Sequence, residues 1–451
     1  MLSADPLFNK AIISLIMSCL GSQVLAKIQN LQQQIASLLL YQSVLKKTVG
    51  EAFIQLLESL SKNDGVAIEC LQAYGNWFIN IASQNISWQE YLIAQIIQDD
   101  NPFSQQVQKI NITSLSPNLI AAAKHDLQIL QNLYQCSGKT ISQWVKTIAK
   151  LENPPIAWEI QSQQKEAIYD ELKKLENWAD AIETLATHYH HNGTGLFAES
   201  IAFEWRNGQL LTITYPDPVE LKELVGYEFQ KDALIKNTEF LLAGYSALNI
   251  LLYGSRGSGK SSLIKALLNE YSQRNLRLVE VAKSNLKDLP LIVEKLRDIP
   301  QKFIIFVDDL SFEEDDDTFK ALKVVLEGNL TARPTNVVVY ATSNRRHLIR
   351  EFFNDRPRPK DSDEVHNWDT VQEKLSFSDR FGLTLTFEPA NQDTYLTIVR
   401  HLAKQAKINL NPEDLDYQAL QWATKYNGRS GRTARQFIDF LKANLTVFEK
   451  Y

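Results

Sequence analysis

The stretch LLYGSRGSGKSSLIKALL (Leu251–Leu268) decides the fold class. Within it, Gly254-Ser-Arg-Gly-Ser-Gly-Lys260-Ser261 fits the pattern G-x-x-x-x-G-K-[ST] in full. A strand-like run, NILLY, enters the pattern and an amphipathic helical run, SSLIKALLNEY, leaves it. Gly254, Gly257 and Gly259 allow a tight wrap, so that the backbone N–H groups from Ser255, Arg256 and Ser258 through Lys260, Ser261 and Ser262 converge on phosphate at a helix N-terminus. In such a loop Lys260 bridges the outer phosphates and the Ser261 hydroxyl takes a place on Mg²⁺.

Downstream, KFIIFVDDL carries an apolar strand into two carboxylates. Asp308 at the sheet's carboxyl edge is the candidate metal group, direct or through water, and Asp309 the candidate to polarise an attacking water. A further apolar run, NVVVYATSN, ends in Asn344, placed to hold that water or touch the outermost phosphate. The cations of NRRHLIR (Asn344–Arg350) are open to a structural, a phosphate-sensing or a partner-contact reading. The acids Glu313–Asp317 read as a solvated helix start. NILLYG, LRLVEV, KFIIFVDD, NVVVYATSN and LTLTFEP alternate with helical signals, which predicts a parallel sheet covered by helices on both faces.

Upstream of about Gly195 the chain is rich in Gln, Leu, Ile and Ala and shows helical spacing only. Val24, Ile28, Leu31, Ile35, Leu38 and Leu45 keep a 4-3-4-3 rhythm that breaks at Gln42, which favours a packed bundle over a coiled-coil seam. Trp77, Trp88, Trp144, Trp158 and Trp178 serve there as core or interface filler. The segment His188–His191 lacks Cys or acidic partners at metal-site spacing, so a solvated loop is the expectation. In AFEWRNGQLLTI (Ala202–Ile213), Asn207-Gly208 between alternating runs predicts a hairpin. YPDPVE (Tyr215–Glu220) then reads as a linker, with a boundary near Pro216. The charged, Pro-containing stretch Phe353–Lys374 reads as a mobile surface loop.

The formal net charge of −6 argues against wholesale electrostatic binding to nucleic acid, although a local basic patch would suffice. Three dispersed cysteines make neither a disulfide framework nor a metal pair and suit a cytoplasmic setting. The apolar run Ala11–Leu20 is too short to cross a bilayer, which takes about 20 residues, and reads as a buried helix face. No membrane association is expected.

The phosphate loop, the DD and TSN strand ends, SDRFG (Ser378–Gly382) and RSGRTARQF (Arg429–Phe437) occur in the order found in AAA+ ATPases. From LVGYEFQK through YATSNRRHL and LSFSDRFG the chain more narrowly resembles predicted AAA+ ATPases catalogued as a domain of unknown function, the eight-one-five family. The resemblance runs from about Leu221 to the C-terminus. It implies an α/β P-loop core with a parallel five-stranded sheet and a small helical lid, after an all-α N-terminal region. The expected organisation is 1–195 helical partner or assembly domain, 196–220 hairpin and linker, 221–390 nucleotide-binding domain and 391–451 lid.

The resemblance also implies roles. Val225-Gly226 with Tyr227 would line an adenine pocket, and Asn344 matches a first sensor. Arg380 matches an arginine finger that completes a neighbouring subunit's site. Arg435 best matches a second sensor, with Arg432 and Arg429 competing for it. ATP and Mg²⁺ are the implied cofactors, and a homo-oligomer acting on an unknown protein client the implied assembly. Many AAA+ proteins carry Asp-Glu where this chain has Asp308-Asp309. The pair resembles that of helicase loaders, so a slow ATP-gated switch acting on DNA or a nucleic-acid enzyme stands as the alternative to a turnover ATPase. A small-molecule kinase fits poorly, because it leaves Arg380 and Arg435 without a role.

Overall fold

The computed structural model describes residues 6–62, 67–160, 167–312, 318–327, 334–344, 376–426 and 428–448. The chain forms two compact units, Met1–Glu199 and Ser200–Tyr451.

The first unit is helical: α1 (Pro6–Ala36), α2 (Thr48–Ser61), α3 (Ala67–Gln84), α4 (Trp88–Gln98), α5 (Pro102–Val107), α6 (Pro117–Tyr134), α7 (Gly138–Ile148), α8 (Ala167–Lys174), α9 (Ile182–Asn192) and α10 (Leu196–Glu199). Local chemistry sets several of the starts. Ser87 and Glu90 form a reciprocal capping box at α4, and Asn101 with Ser104 does the same at α5, where Pro102 needs no donor. Trp77, Trp88 and Trp178 are buried in one core with Ile28, Leu31 and Leu38, as a bundle requires. The Trp88 ring stacks on Tyr91 at 5.6 Å, and its indole N–H donates to Leu133 O at 2.9 Å. Buried Asp126 on α6 accepts the N–H groups of Leu39, Leu40 and Tyr41, tying the turn after α1 to the bundle.

One expectation changes here, and another falls almost wholly outside the described side chains. His188–His191 lies on α9 rather than in a loop, and His188 is half-buried, with burial lowering its pKa. Among the described residues no cluster suits a metal ion. Leu20, at the end of the Ala11–Leu20 run, is 50% exposed, while the run's other side chains lie outside the described set. No described helix is long and apolar enough to cross a membrane.

The second unit holds a sheet of seven strands in the order β2-β1-β4-β5-β6-β3-β7. They are β1 (Ala202–Arg206), β2 (Gln209–Thr212), β3 (Ile250–Gly254), β4 (Leu276–Val281), β5 (Lys302–Val307), β6 (Val337–Ser343) and β7 (Leu383–Phe387). The expected five strands are all present and parallel; the hairpin adds two more. β1 joins β4 in parallel and β2 returns antiparallel through Asn207 and Gly208, both at positive φ. Trp205 is buried, and its indole N–H donates to Asp288 at 2.9 Å, fastening the hairpin to the unit. Every residue of β6 is buried, which accounts for the unbroken apolar run in sequence. The helices are α11 (Glu228–Leu242), α12 (Lys260–Tyr271), α13 (Leu289–Leu296) and α14 (Thr318–Glu327), then the lid helices α15 (Gln392–Gln405), α16 (Pro412–Lys425) and α17 (Gly431–Phe448). Tyr395, Val399, Ala419 and Phe437 make the lid's own core, and Val225 packs against it. The fold class is therefore the one expected in its layers: an all-α region, an α/β core around a mainly parallel sheet, and a small helical lid.

From β3 the chain crosses to β4, then returns through β5 and β6 to β3's side. The reversal leaves a crevice at the carboxyl ends of β3, β5 and β6, where open α/β sheets bind ligands.

Candidate functional site

The loop after β3 has one shape available to it. Gly254 has φ 140°, and a Cβ there would sit 1.9 Å from Phe387 O at the end of β7. Ser255 N–H donates to that same carbonyl at 2.9 Å. Gly257 and Gly259 take left-handed φ values of 76° and 93°, completing the wrap before α12 starts at Lys260. Space around a Cβ at Gly259 is open. Lys260 is 6% exposed, and its ammonium donates to Gly254 O at 3.1 Å and Ser255 O at 2.8 Å. Burial lowers its pKa; the carboxylates of Asp308 and Asp309 oppose that shift, and Arg432 adds to it.

The two acids follow β5 directly. Ser261 Oγ donates to Asp308 Oδ1 at 2.7 Å. Asn344, just past β6, donates from Nδ2 to Asp309 Oδ1 at 2.5 Å. Thr342 on β6 donates to Asp308 and accepts the Asp309 N–H at 2.9 Å. Asp309 itself has φ 49°, a left-handed value uncommon outside glycine.

A cavity of 620 Å³ opens above these groups, a size that suits a nucleotide-scale ligand. Residues 256–262, Asp308, Asp309 and Asn344 form one wall, and Val225 and Tyr227 another. Ile398, Arg432 and Arg435 reach it from the lid. Gly226, at φ 95°, lies where a Cβ would meet Thr394 of α15 at 2.9 Å, so the strap before α11 runs tight under the lid. The donor set suits the implied cofactors. A glycine-rich wrap running into a helix N-terminus and a buried ammonium suit phosphate, while a hydroxyl 2.7 Å from a carboxylate offers the hard oxygens Mg²⁺ takes.

The predicted arginines separate. Arg380 ends a short 3-10 turn (Ser376–Arg380), half-buried and off the cavity wall. Arg435 pairs with Glu223 at 2.5 Å. Arg432 stands at the phosphate loop, its backbone N–H donating to Gly257 O at 3.1 Å. Arg429 donates to Gln392 at 3.2 Å. Arg345–Arg350, Glu313–Asp317 and Phe353–Lys374 lie outside the described residues. Sequence reasoning missed Thr342 and Glu223. Thr342 had a visible signal, standing two residues before Asn344 and hence on the same strand face; Glu223 had none.

No curated protein matches the chain in sequence. Similar solved structures include the Thermotoga maritima RuvB Holliday junction branch migration motor, at TM-score 0.36 and 14% identity over 51% of this chain and 67% of that one. A proline-to-glycine mutant of the same Thermotoga protein gives TM-score 0.37 and 15% identity over 51% of this chain and 68% of that one. A family model described as "Protein of unknown function (DUF815)" matches residues 198–445, more than half of the chain, and the protein belongs to that family.

Proposed function

We propose that this chain is a Mg²⁺-dependent ATPase that works as an oligomer, cleaving ATP to ADP and phosphate to remodel or load a macromolecular client. The observation that carries the reading is the joined set Ser261–Asp308–Asp309–Asn344 beside buried Lys260. Lys260 would neutralise charge on the outer phosphates, and Asp309, held by Asn344, would orient the attacking water. Mg²⁺, held by Ser261 and Asp308, would draw charge from the β- and γ-phosphate oxygens. Arg380 is off the wall of its own cavity, which supports a role in a neighbouring copy's site. Among the lid arginines, Arg432 is the better second-sensor candidate than Arg435, whose guanidinium is engaged by Glu223. Buried, unbridged Cys70 and Cys136 suit a cytoplasmic setting.

The test is ATP turnover per subunit over a wide range of protein concentration, with Arg380→Ala alongside. A specific rate that climbs with concentration and disappears in the variant is expected; normal turnover by Arg380→Ala would defeat the shared-site model. A second reading, a slow ATP-gated switch, draws on the Asn344 bond that occupies the short Asp309 carboxylate. It predicts tight ATP binding with a flat, near-zero rate. A salt-sensitive, ATP-dependent DNA affinity would then point to nucleic acid as the client.

A further inference from the structure

One hydroxyl in the site has been given no role so far: that of Thr342, the first residue of the TSN strand end. Thr342 is 2% exposed. The register sets Ala341 opposite Val307, which brings Thr342 level with Asp308. Its Oγ1 donates to Asp308 Oδ1 and accepts the N–H of Asp309 at 2.9 Å, a double service that one proton and two lone pairs allow. Its carbonyl accepts the Leu310 N–H at 2.7 Å. One residue of β6 thus bonds three consecutive residues beyond β5. The middle one is Asp309, in the left-handed conformation that turns its carboxylate toward Asn344.

We propose that Thr342 is a positioning residue. It fixes the Asp308 carboxylate beside Ser261, where Mg²⁺ would be held, and stabilises the turn that carries Asp309 forward, offsetting the short reach of aspartate. The proposal rests on the ATPase reading of the same site. A side chain without the hydroxyl leaves the Asp309 N–H with Asp308 Oδ1 as its remaining acceptor at 3.1 Å and leaves that oxygen held only by this N–H and Ser261, while the phosphate loop keeps its own bonds.

The experiment compares full-length wild type with Thr342→Val and Thr342→Ser. Equilibrium binding of a fluorescent, non-hydrolysable ATP analogue is measured in excess EDTA, then across a Mg²⁺ titration; turnover is measured separately. Binding in EDTA should be alike in all three. In Thr342→Val the Mg²⁺ midpoint should rise roughly tenfold and kcat fall by at least about tenfold. KM should move less than about threefold. Thr342→Ser should restore both. Should valine prevent folding, Thr342→Ala removes the hydroxyl with the same expectation. A hydroxyl-free variant with the wild-type Mg²⁺ midpoint and kcat overturns the proposal, as does equal loss of EDTA binding in the Val and Ser variants, which marks a packing role. A wild-type chain that binds no analogue under any condition overturns the ATPase reading and this proposal with it; Mg²⁺-dependent wild-type binding beside an unaltered Val variant overturns this proposal alone.

Discussion

Arg435 on the last lid helix and Glu223 in the strap before α11, 212 residues apart in sequence, form an ion pair at 2.5 Å on the wall of the same cavity. The pair ties the lid to the core across the cavity rather than to the phosphate loop. Both side chains keep some solvent contact, so the pair contributes about 0.5 kcal/mol. Glu223→Ala and Arg435→Ala should each speed release of a fluorescent ATP analogue by roughly two- to threefold. The double variant should add little to either, and raised salt should shrink the difference. Stopped-flow release rates across that cycle check the coupling.

Lys260→Ala removes a buried ammonium that the loop carbonyls of Gly254 and Ser255 hold in place. Losing a charge-assisted contact of this kind costs about 1.5–3 kcal/mol, so ATP-analogue affinity should fall roughly ten- to a hundredfold. Lys260→Arg should not rescue, because a planar fork does not replace a point charge. Titration calorimetry reads both.

Gly254→Ala should be far more damaging than its size suggests. The new methyl would overlap Phe387 O, and the backbone at φ 140° is one that L-residues rarely adopt. Either the loop or the end of β7 must move, at a cost of about 1–3 kcal/mol in backbone strain alone. Loss of analogue binding with a lowered Tm is the expected result, by calorimetry and thermal unfolding.

Asp126→Ala leaves the N–H groups of Leu39, Leu40 and Tyr41 without their carboxylate. The helical unit should lose about 3 kcal/mol, seen as a lower urea midpoint for the transition followed by tryptophan fluorescence. Nucleotide binding by the second unit should persist.

The legible parts of this fold were local ones. A phosphate loop needs its glycines, lysine and serine within eight positions, so Gly254–Ser261 declares itself. Asn207-Gly208 announces a turn because few other pairs take two positive φ angles cheaply. Apolar runs ending in Asp308 and Asn344 expose their place at the sheet edge. What sequence could not supply was pairing at a distance. Nothing near Ala202 states that β1 will lie against β4, so the sequence predicts the hairpin but not that it extends the sheet. Glu223 is one surface acid among many until the lid brings Arg435 to it. Asp126 is likewise an ordinary helix carboxylate until the turn after α1 arrives. The histidine run misled for a different reason: with no partners at metal-site spacing it reads as a solvated loop, whereas the buried neighbours Leu185 and Tyr189 hold it in a helix.

The hairpin Ala202–Thr212 also governs how this protein can be divided. A fragment beginning near Leu221, at the start of the recognisable motifs, would lack β1 and β2 and leave β4 as the sheet's outermost strand. Leu276, Leu278, Val279 and Val281 of that strand are buried in the intact unit, and its unpaired N–H and C=O groups would offer a template for other chains. Such a fragment should aggregate, whereas one beginning at Ser200 keeps the short, four-residue β2 as its edge and should stay dispersed.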